Sequence, residues 1–419
     1  MVGNGLEFYD FTTYAFFAVQ IGQAFFPSKV AFVSLILSLA TFGSGFLLRP
    51  VGALVIGRYG DRIGRKPAML LTMMMMGLAV VGLALTPTYA QIGVLAPVMA
   101  LAWRLLQGFA LGGEVGPSTA FLVEAAPPGK RGLYTSWQFV SQAVASIAGG
   151  LVGVTVANFA GEASLRTWGW RLAFLLGGLI LPFGYWLRRT LPETIHQQEP
   201  ETAAHPADTS LKAHAPILMV GLGLIAAATI GTYVMSFMTT YALTTLKIPA
   251  RTAFWTPIVI GLCAIAGTLG GAVLCDRYGR KPLIVWPRVV SLLMILPAFT
   301  LIVRNRDETT LLVALGSLVL VGSFSAAAIL VGLTESMHRG LRSAGVGTLY
   351  AVAVAALGGS TQPIVAWLIH ATGDPLMPAY YLVGAGLIGL AAALAFTESA
   401  PPVAATRAPL RRAAAKARP

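Results

Sequence analysis

The sequence predicts an all-α membrane protein with twelve transmembrane helices in two six-helix, pseudo-symmetric bundles. Composition supports the membrane part. Of 419 residues, 56% are hydrophobic and 11% charged, and the mean hydropathy is +0.74. So few polar side chains cannot coat a soluble chain of this size, so lipid has to cover it. A repeat supports the two bundles. Asp61-Arg-Ile-Gly-Arg65-Lys66-Pro67 returns 215 residues later as Asp276-Arg277-Tyr-Gly-Arg280-Lys281-Pro282. Glu124…Arg131 returns as Glu335…Arg342 at an offset of 211, the acid preceding the arginine by seven positions each time. Two motifs repeated in order at nearly one offset argue for a duplicated unit, and parallel repeats in a membrane are a transporter signature.

Apolar runs of about 20 residues, the length that crosses a bilayer core as a helix, follow one another along the chain. The run 2–26 carries Glu7 and Asp10; 31–57 holds Arg49-Pro50 and ends at the Asp61 loop; 68–86 follows that loop. The run 90–123 contains Arg104 and Glu114, 132–158 begins after Arg131, and 168–189 closes the first bundle. The second bundle is 214–244, 252–274 leading to Asp276, 282–303, 310–337 reaching Glu335, 343–370 and 376–397. The domain reading is therefore an N-terminal six-helix bundle over 1–190, a cytoplasmic linker over 191–213 rich in Glu, Gln, His, Pro and Ala, a C-terminal six-helix bundle over 214–398, and a basic cytoplasmic tail over 399–419.

A net charge of +13 and a pI near 10 suggest nucleic acid until the cations are placed. Nineteen of the 29 Lys and Arg residues fall in loops after even-numbered runs or in the tail, and seven fall on the other side. This is the positive-inside pattern of a multi-pass inner-membrane protein with both termini cytoplasmic, and it speaks against a nucleic-acid partner. The five cations of the tail can touch anionic headgroups at about 1 kcal/mol each. Cys263 and Cys275 lie twelve residues apart on one run, too far along a helix to bridge, so they read as buried thiols. No Lys or Arg precedes Lys29 and the first run already holds two acids, which is unlike a signal peptide. The missing basic flank leads us to expect a short native leader ahead of Met1.

The Asp61 loop resembles the signature loop between helices 2 and 3 of the major facilitator superfamily. Arg104-Leu-Leu-Gln107-Gly108-Phe-Ala-Leu-Gly112-Gly113-Glu114 resembles its helix 4 motif, and Leu191-Pro192-Glu193-Thr194 the segment after helix 6. Within that family, Gly3-Asn4-Gly-Leu-Glu7-Phe-Tyr-Asp10, Phe46-Leu-Leu-Arg49-Pro50 and Gly112-Gly-Glu114 resemble the metabolite:proton symporter branch, whose members take up citrate, related carboxylates, shikimate, or proline and betaine. Ile92…Pro97 and Tyr134-Thr-Ser-Trp-Gln138 with Gln142 are most similar to the citrate and tricarballylate carriers. The resemblance implies alternating access around a cavity lined by helices 1, 4, 7 and 10, and import of an organic di- or tricarboxylate with protons. An importer of zwitterionic osmolytes, a drug exporter and a transporter-like sensor are the other readings.

Charges inside membrane helices are costly and need a partner or a wet cavity. Arg104, about fourteen residues into its run, stands where an anionic substrate would sit and can grip a carboxylate bidentately; alternatively it pairs permanently with Asp10 or Glu114. Glu7 and Asp10, three residues apart, share a helix face. Together with Glu114 they are the candidate proton carriers, helix capping or gating being the other role open to the first two. Asn4, Gln107, Gln138, Gln142, Tyr233 and Gln362 are candidate substrate contacts, with Tyr134, Ser236 and Thr361 as weaker ones. Arg288 reads as a snorkelling residue of an outer helix, His370 as interfacial and the Met73–Met76 run as packing material.

The repeated loops read as gates. What the resemblance implies is that Asp61 caps the helix beginning near Ser343 and Asp276 the helix beginning near Gly132, with Arg65–Glu124 and Arg280–Glu335 completing two latches. The sequence shows no phosphate-cradling loop, Cys/His metal spacing or nucleophile elbow. It reads as a monomeric carrier in the lipid bilayer, not an enzyme, with no cofactor or metal, whose partners are a small organic acid and protons.

Overall fold

A computed structural model describes residues 2–63, 65–112, 122–123, 125–127, 129–190, 215–337 and 342–399, and among these there is helix and no strand. The 191–213 linker and all of the tail beyond Ser399 lie outside the described residues, as do Glu114 and Glu124 and the side chains of Glu7, Asp61 and Arg65.

Among the described residues twelve helical segments follow the apolar runs, and eight of them are long and apolar enough to cross a membrane. The first half supplies α1 (Val2–Phe16, continued by Ala18–Phe25), α2 (Ala31–Ser44 and Arg49–Ile63), α3 (Arg65–Leu85), α4 (Leu95–Leu111), α5 (Arg131–Phe159) and α6 (Trp170–Thr190). The second half supplies α7 (Ala215–Thr244), α8 (Trp255–Tyr278), α9 (Arg280–Asn305), α10 (Glu308–Ser323 and Ala326–Glu335), α11 (Arg342–Ala353 and Gly359–Thr372 around a π turn at Val354–Gly358) and α12 (Met377–Ala395).

Local chemistry sets the breaks. Pro50 falls in the first turn of Arg49–Ile63, where its missing N–H costs nothing. Gly279, at φ 101°, takes the left-handed backbone that turns α8 into α9 within one residue. Asp307 caps α10 by accepting from Thr310 N at 2.8 Å. Pro287 and Pro297 lie inside α9 and each removes a backbone donor.

Helices approach closely where glycines face each other, the usual solution where lipid offers no hydrophobic force to drive association. A Cβ on Gly108 of α4 would fall on the carbonyl of Gly45, in the break of α2. Gly43 of α2 and Gly359 of α11 meet backbone to backbone across the halves. Gly150 and Gly153 of α5 lie against Phe254, Pro257 and Ile258 beside α8. The first contact brings α2 onto α4, and so places Phe42 and Phe46 in the centre of the N-terminal half.

Gly108→Val forces that pair of helices apart. The overpacking should cost about 1–3 kcal/mol, read as a lower melting temperature in detergent; an unchanged melt would show that the approach is dispensable.

Candidate functional site

The centre of the first half is built around two buried guanidinium groups. α4 holds Arg104 at 1% exposure, and α1 presents Asp10 at 2%. Arg104 Nη1 stands 3.7 Å from Asp10 Oδ2, an ion pair longer than a hydrogen bond. The same Nη1 donates to Gln107 Oε1, one turn along α4. The guanidinium lies over Tyr14 at 4.5 Å, Phe42 at 5.2 Å and Phe11 at 5.3 Å, cation–π contacts that offset part of its lost hydration. Arg49 of α2 lies over Phe46 at 4.3 Å and over the same Phe11 ring at 5.1 Å. Asp10 Oδ1 and Oδ2, Arg104 Nε and Nη2 and Arg49 Nε have no hydrogen-bond partner. Arg104 therefore faces one described carboxylate, neither group is fully satisfied, and Arg49 lies across the shared Phe11 ring.

Beside this cluster lies a cavity of about 380 Å³ between the halves, within the usual range for small-molecule sites. Phe11 and Thr12 of α1, Gln138 and Gln142 of α5 and Tyr233 and Ser236 of α7 form much of its wall. On the C-terminal side it is lined by Arg288 and Ser291 of α9.

A second charged cluster occupies one end of the bundle. Asp276, at the end of α8, accepts from the backbone N–H of Gly132 at 2.8 Å and Leu133 at 3.0 Å, in the first turn of α5; a carboxylate is favourable at a helix N-terminus. Arg280 holds Glu335 bidentately, Nε to Oε2 at 2.9 Å and Nη2 to Oε1 at 3.1 Å. Arg131, from the other half, donates to Glu335 Oε1 at 2.8 Å. Glu398 accepts from the N–H groups of Arg280 and Lys281, each at 2.9 Å. At the opposite end the halves touch where Ala250 N donates to Glu162 Oε1 at 3.1 Å.

Three groups of candidates emerge. Gln138, Gln142 and Tyr233 line the cavity, and Asp276, Arg280 and Glu335 meet at the end cluster. Arg104 and Gln107 differ from the cavity-lining placement expected of them: both are buried outside its lining, with Arg104 against the Phe11 ring that does line it. Asn4 donates to Gln138 O at 3.0 Å and Ser141 Oγ at 2.8 Å, and Gln362 donates to Tyr233 O at 3.4 Å, so both brace cavity helices from behind. Arg288 corrects the snorkelling assignment, because its guanidinium turns inward against Gly389 and the cavity. Ser236 and Thr361 bond carbonyls of their own helices, and His370 stacks on Phe32 with ring centroids 3.8 Å apart. Glu114 and Glu124, and the side chains of Glu7, Asp61 and Arg65, lie outside the described residues. Arg131 was missed as a partner of Glu335, although it closes the repeated acid-to-arginine segment.

The comparisons with known proteins agree on a family. The Major Facilitator Superfamily matches residues 1–360. The chain is 36% identical over 394 residues to a citrate-proton symporter of Salmonella typhi, covering 93% of this chain and 91% of that one. It is 34% identical to a citrate-proton symporter of Klebsiella pneumoniae, covering 93% and 88%. Among solved structures, a D-xylose-proton symporter superposes with a TM-score of 0.72 at 19% identity, covering 96% of both chains, a likeness of fold.

The end cluster carries its own expectation. Glu335→Gln removes the bidentate partner of Arg280, whose side chain is 5% exposed, and leaves it only Asp276 at 3.5 Å, so the loss should stay below the roughly 3–5 kcal/mol of a fully broken buried pair. Spin labels on α5 and α10 at this end should then show longer separations; a distribution equal to the parent's would mean that Glu335 does not hold the halves together here.

Proposed function

We propose that this chain, a member of the Major Facilitator Superfamily, is a secondary active transporter that imports an organic di- or tricarboxylate such as citrate together with protons. The carrying observation is the loose ion pair buried in mid-membrane, Arg104 with Asp10 at 3.7 Å, both groups with hydrogen-bonding atoms left open. A buried guanidinium with open donors is complementary to an anion of matching chemistry. The citrate-proton symporters among its relatives support the same substrate class.

Arg104 is shared between two anions. With Asp10 ionised, the guanidinium is drawn to α1 and stays behind Phe11. A proton on Asp10 removes that attraction, and movement of α1 with its Phe11 ring opens Arg104 to a substrate carboxylate. Glu7 and Glu114 complete the proton path in this reading. Gln107 orients the guanidinium, and Gln138, Gln142 and Tyr233 meet the substrate's oxygens, with Asn4 and Gln362 fixing the helices that carry them. Protons are needed because moving one negative charge inward against 100 mV costs about 2.3 kcal/mol.

The bundles 1–190 and 214–398 rock about this point, joined by the 191–213 linker. Asp276, capping α5 from the end of α8, and the Arg131–Glu335–Arg280 triad act as one gate, and Asp61, Arg65 and Glu124 as its counterpart. These gates, both termini and the 399–419 tail face the cytoplasm. The carrier works as a monomer in the lipid of a cell inner membrane.

Proteoliposomes test the scheme. Arg104→Lys keeps the charge but loses the planar fork, and should lower carboxylate uptake by about tenfold to a hundredfold, in line with about 1.5–3 kcal/mol for a charged hydrogen bond. Asp10→Asn should still exchange labelled for unlabelled citrate but no longer accumulate it under an inward proton gradient. Full proton-driven accumulation by both variants would contradict the scheme.

A further inference from the structure

α9 brings a guanidinium to the cavity wall itself, and nothing in the proton-linked cycle uses it. Arg288 lies eight residues into α9, about 12 Å along the axis at 1.5 Å per residue, deep enough to lie within the hydrocarbon. It is partly buried, it lines the cavity, and its Nε is enclosed with no hydrogen-bond partner. No acid among the described residues pairs with it.

The surroundings are built to admit it. α12 offers Gly389, where any side chain would collide with Arg288 Nη1, and a Cβ there would also lie 2.6 Å from Ala227 Cβ of α7. Small residues on two neighbouring helices thus leave a slot for the guanidinium. Ser291, three residues on and so on the same helix face, lines the same cavity, and its buried Oγ is also without a partner. Buried polar groups in native proteins are nearly always satisfied, and a cation and a hydroxyl left open side by side at a cavity wall are complementary to a carboxylate. Pro287 precedes Arg288 and cannot donate a backbone hydrogen bond, so α9 is loosened where the side chain leaves it.

We infer that Arg288 and Ser291 form a second carboxylate subsite on the C-terminal wall of the cavity, so that a polycarboxylate is held between this wall and the Arg104 cluster of the other half. The inference rests on the carboxylate reading above and narrows it: one carboxylate is bound by each bundle, and a monocarboxylate reaches only one of them. A substrate that bridges the bundles also couples its binding to their closure, because its second charge is satisfied only when both walls face it.

Binding to the purified full-length protein in nanodiscs tests this, with citrate, succinate and acetate as probes. Arg288→Gln should weaken citrate and succinate at least tenfold and leave acetate within about twofold, Arg288→Lys should recover part of the loss, and Ser291→Ala should weaken citrate severalfold. In the wild type, citrate and not acetate should protect Arg288 from phenylglyoxal, a readout that needs no variant to fold. Citrate affinity unchanged in folded Arg288→Gln and Ser291→Ala, or labelling of Arg288 indifferent to citrate, overturns the subsite while the carboxylate reading stands. A wild type that binds none of the three probes overturns the carboxylate reading itself, and the subsite with it.

Discussion

A guanidinium in the middle of a membrane, compensated loosely, is the constraint that organises this molecule. Taking an ion out of water costs several kcal/mol even after relaxation, and Arg104 receives in return one carboxylate at 3.7 Å, one amide and three aromatic faces. Each of those partners depends on a helix being in place. Asp10, Phe11 and Tyr14 need α1; Phe42 needs α2, which comes close to α4 because Gly45 and Gly108 let the backbones meet. A tighter set of partners would make the cluster a permanent strut. Two unsatisfied carboxylate oxygens and two unsatisfied guanidinium nitrogens leave it responsive to a proton or to an anion.

The rest of the fold frames that centre with contacts that can be broken. At one end Asp276 rests on the first turn of α5, and Arg131 and Arg280 share Glu335. At the other end Glu162 meets Ala250 N, and between the ends Gly43 meets Gly359. The halves therefore touch on both sides of the cavity. Alternation between outward and inward access needs one set to open while the other holds; charged side chains and helix termini hold the Glu335 end, and the halves also share buried apolar clusters in which Leu35 and Leu39 belong with Phe237 and Tyr241, and Phe17 with Phe254.

Much of this was legible because it repeats. The twelve runs carry their own length, and the duplicated Asp–Arg–Lys–Pro loop located Asp276 opposite Gly132 through family resemblance before any contact was visible. What was not legible depends on residues far apart in the chain. Arg288 reads as a snorkelling cation because its inward course is decided by Gly389 and Ala227, on two other helices. Arg104 reads as facing the cavity because its depth is right; that Phe11 lines the cavity while Arg104 lies against its ring outside the lining is a matter of side-chain packing that periodicity does not report. Arg131 closes the repeated acid-to-arginine segment, and its bond to Glu335 makes a triad where the repeat reads as pairs.

The central claim is that a proton and a carboxylate compete, through Asp10, for one buried guanidinium. The most direct measurement is proton linkage on binding: calorimetric titration of citrate into the detergent-solubilised protein in buffers of different ionisation enthalpy. The account predicts net proton uptake by the wild type near neutral pH, and its loss in Asp10→Asn. Citrate binding with no proton uptake in the wild type, or with the same uptake in Asp10→Asn, would contradict it.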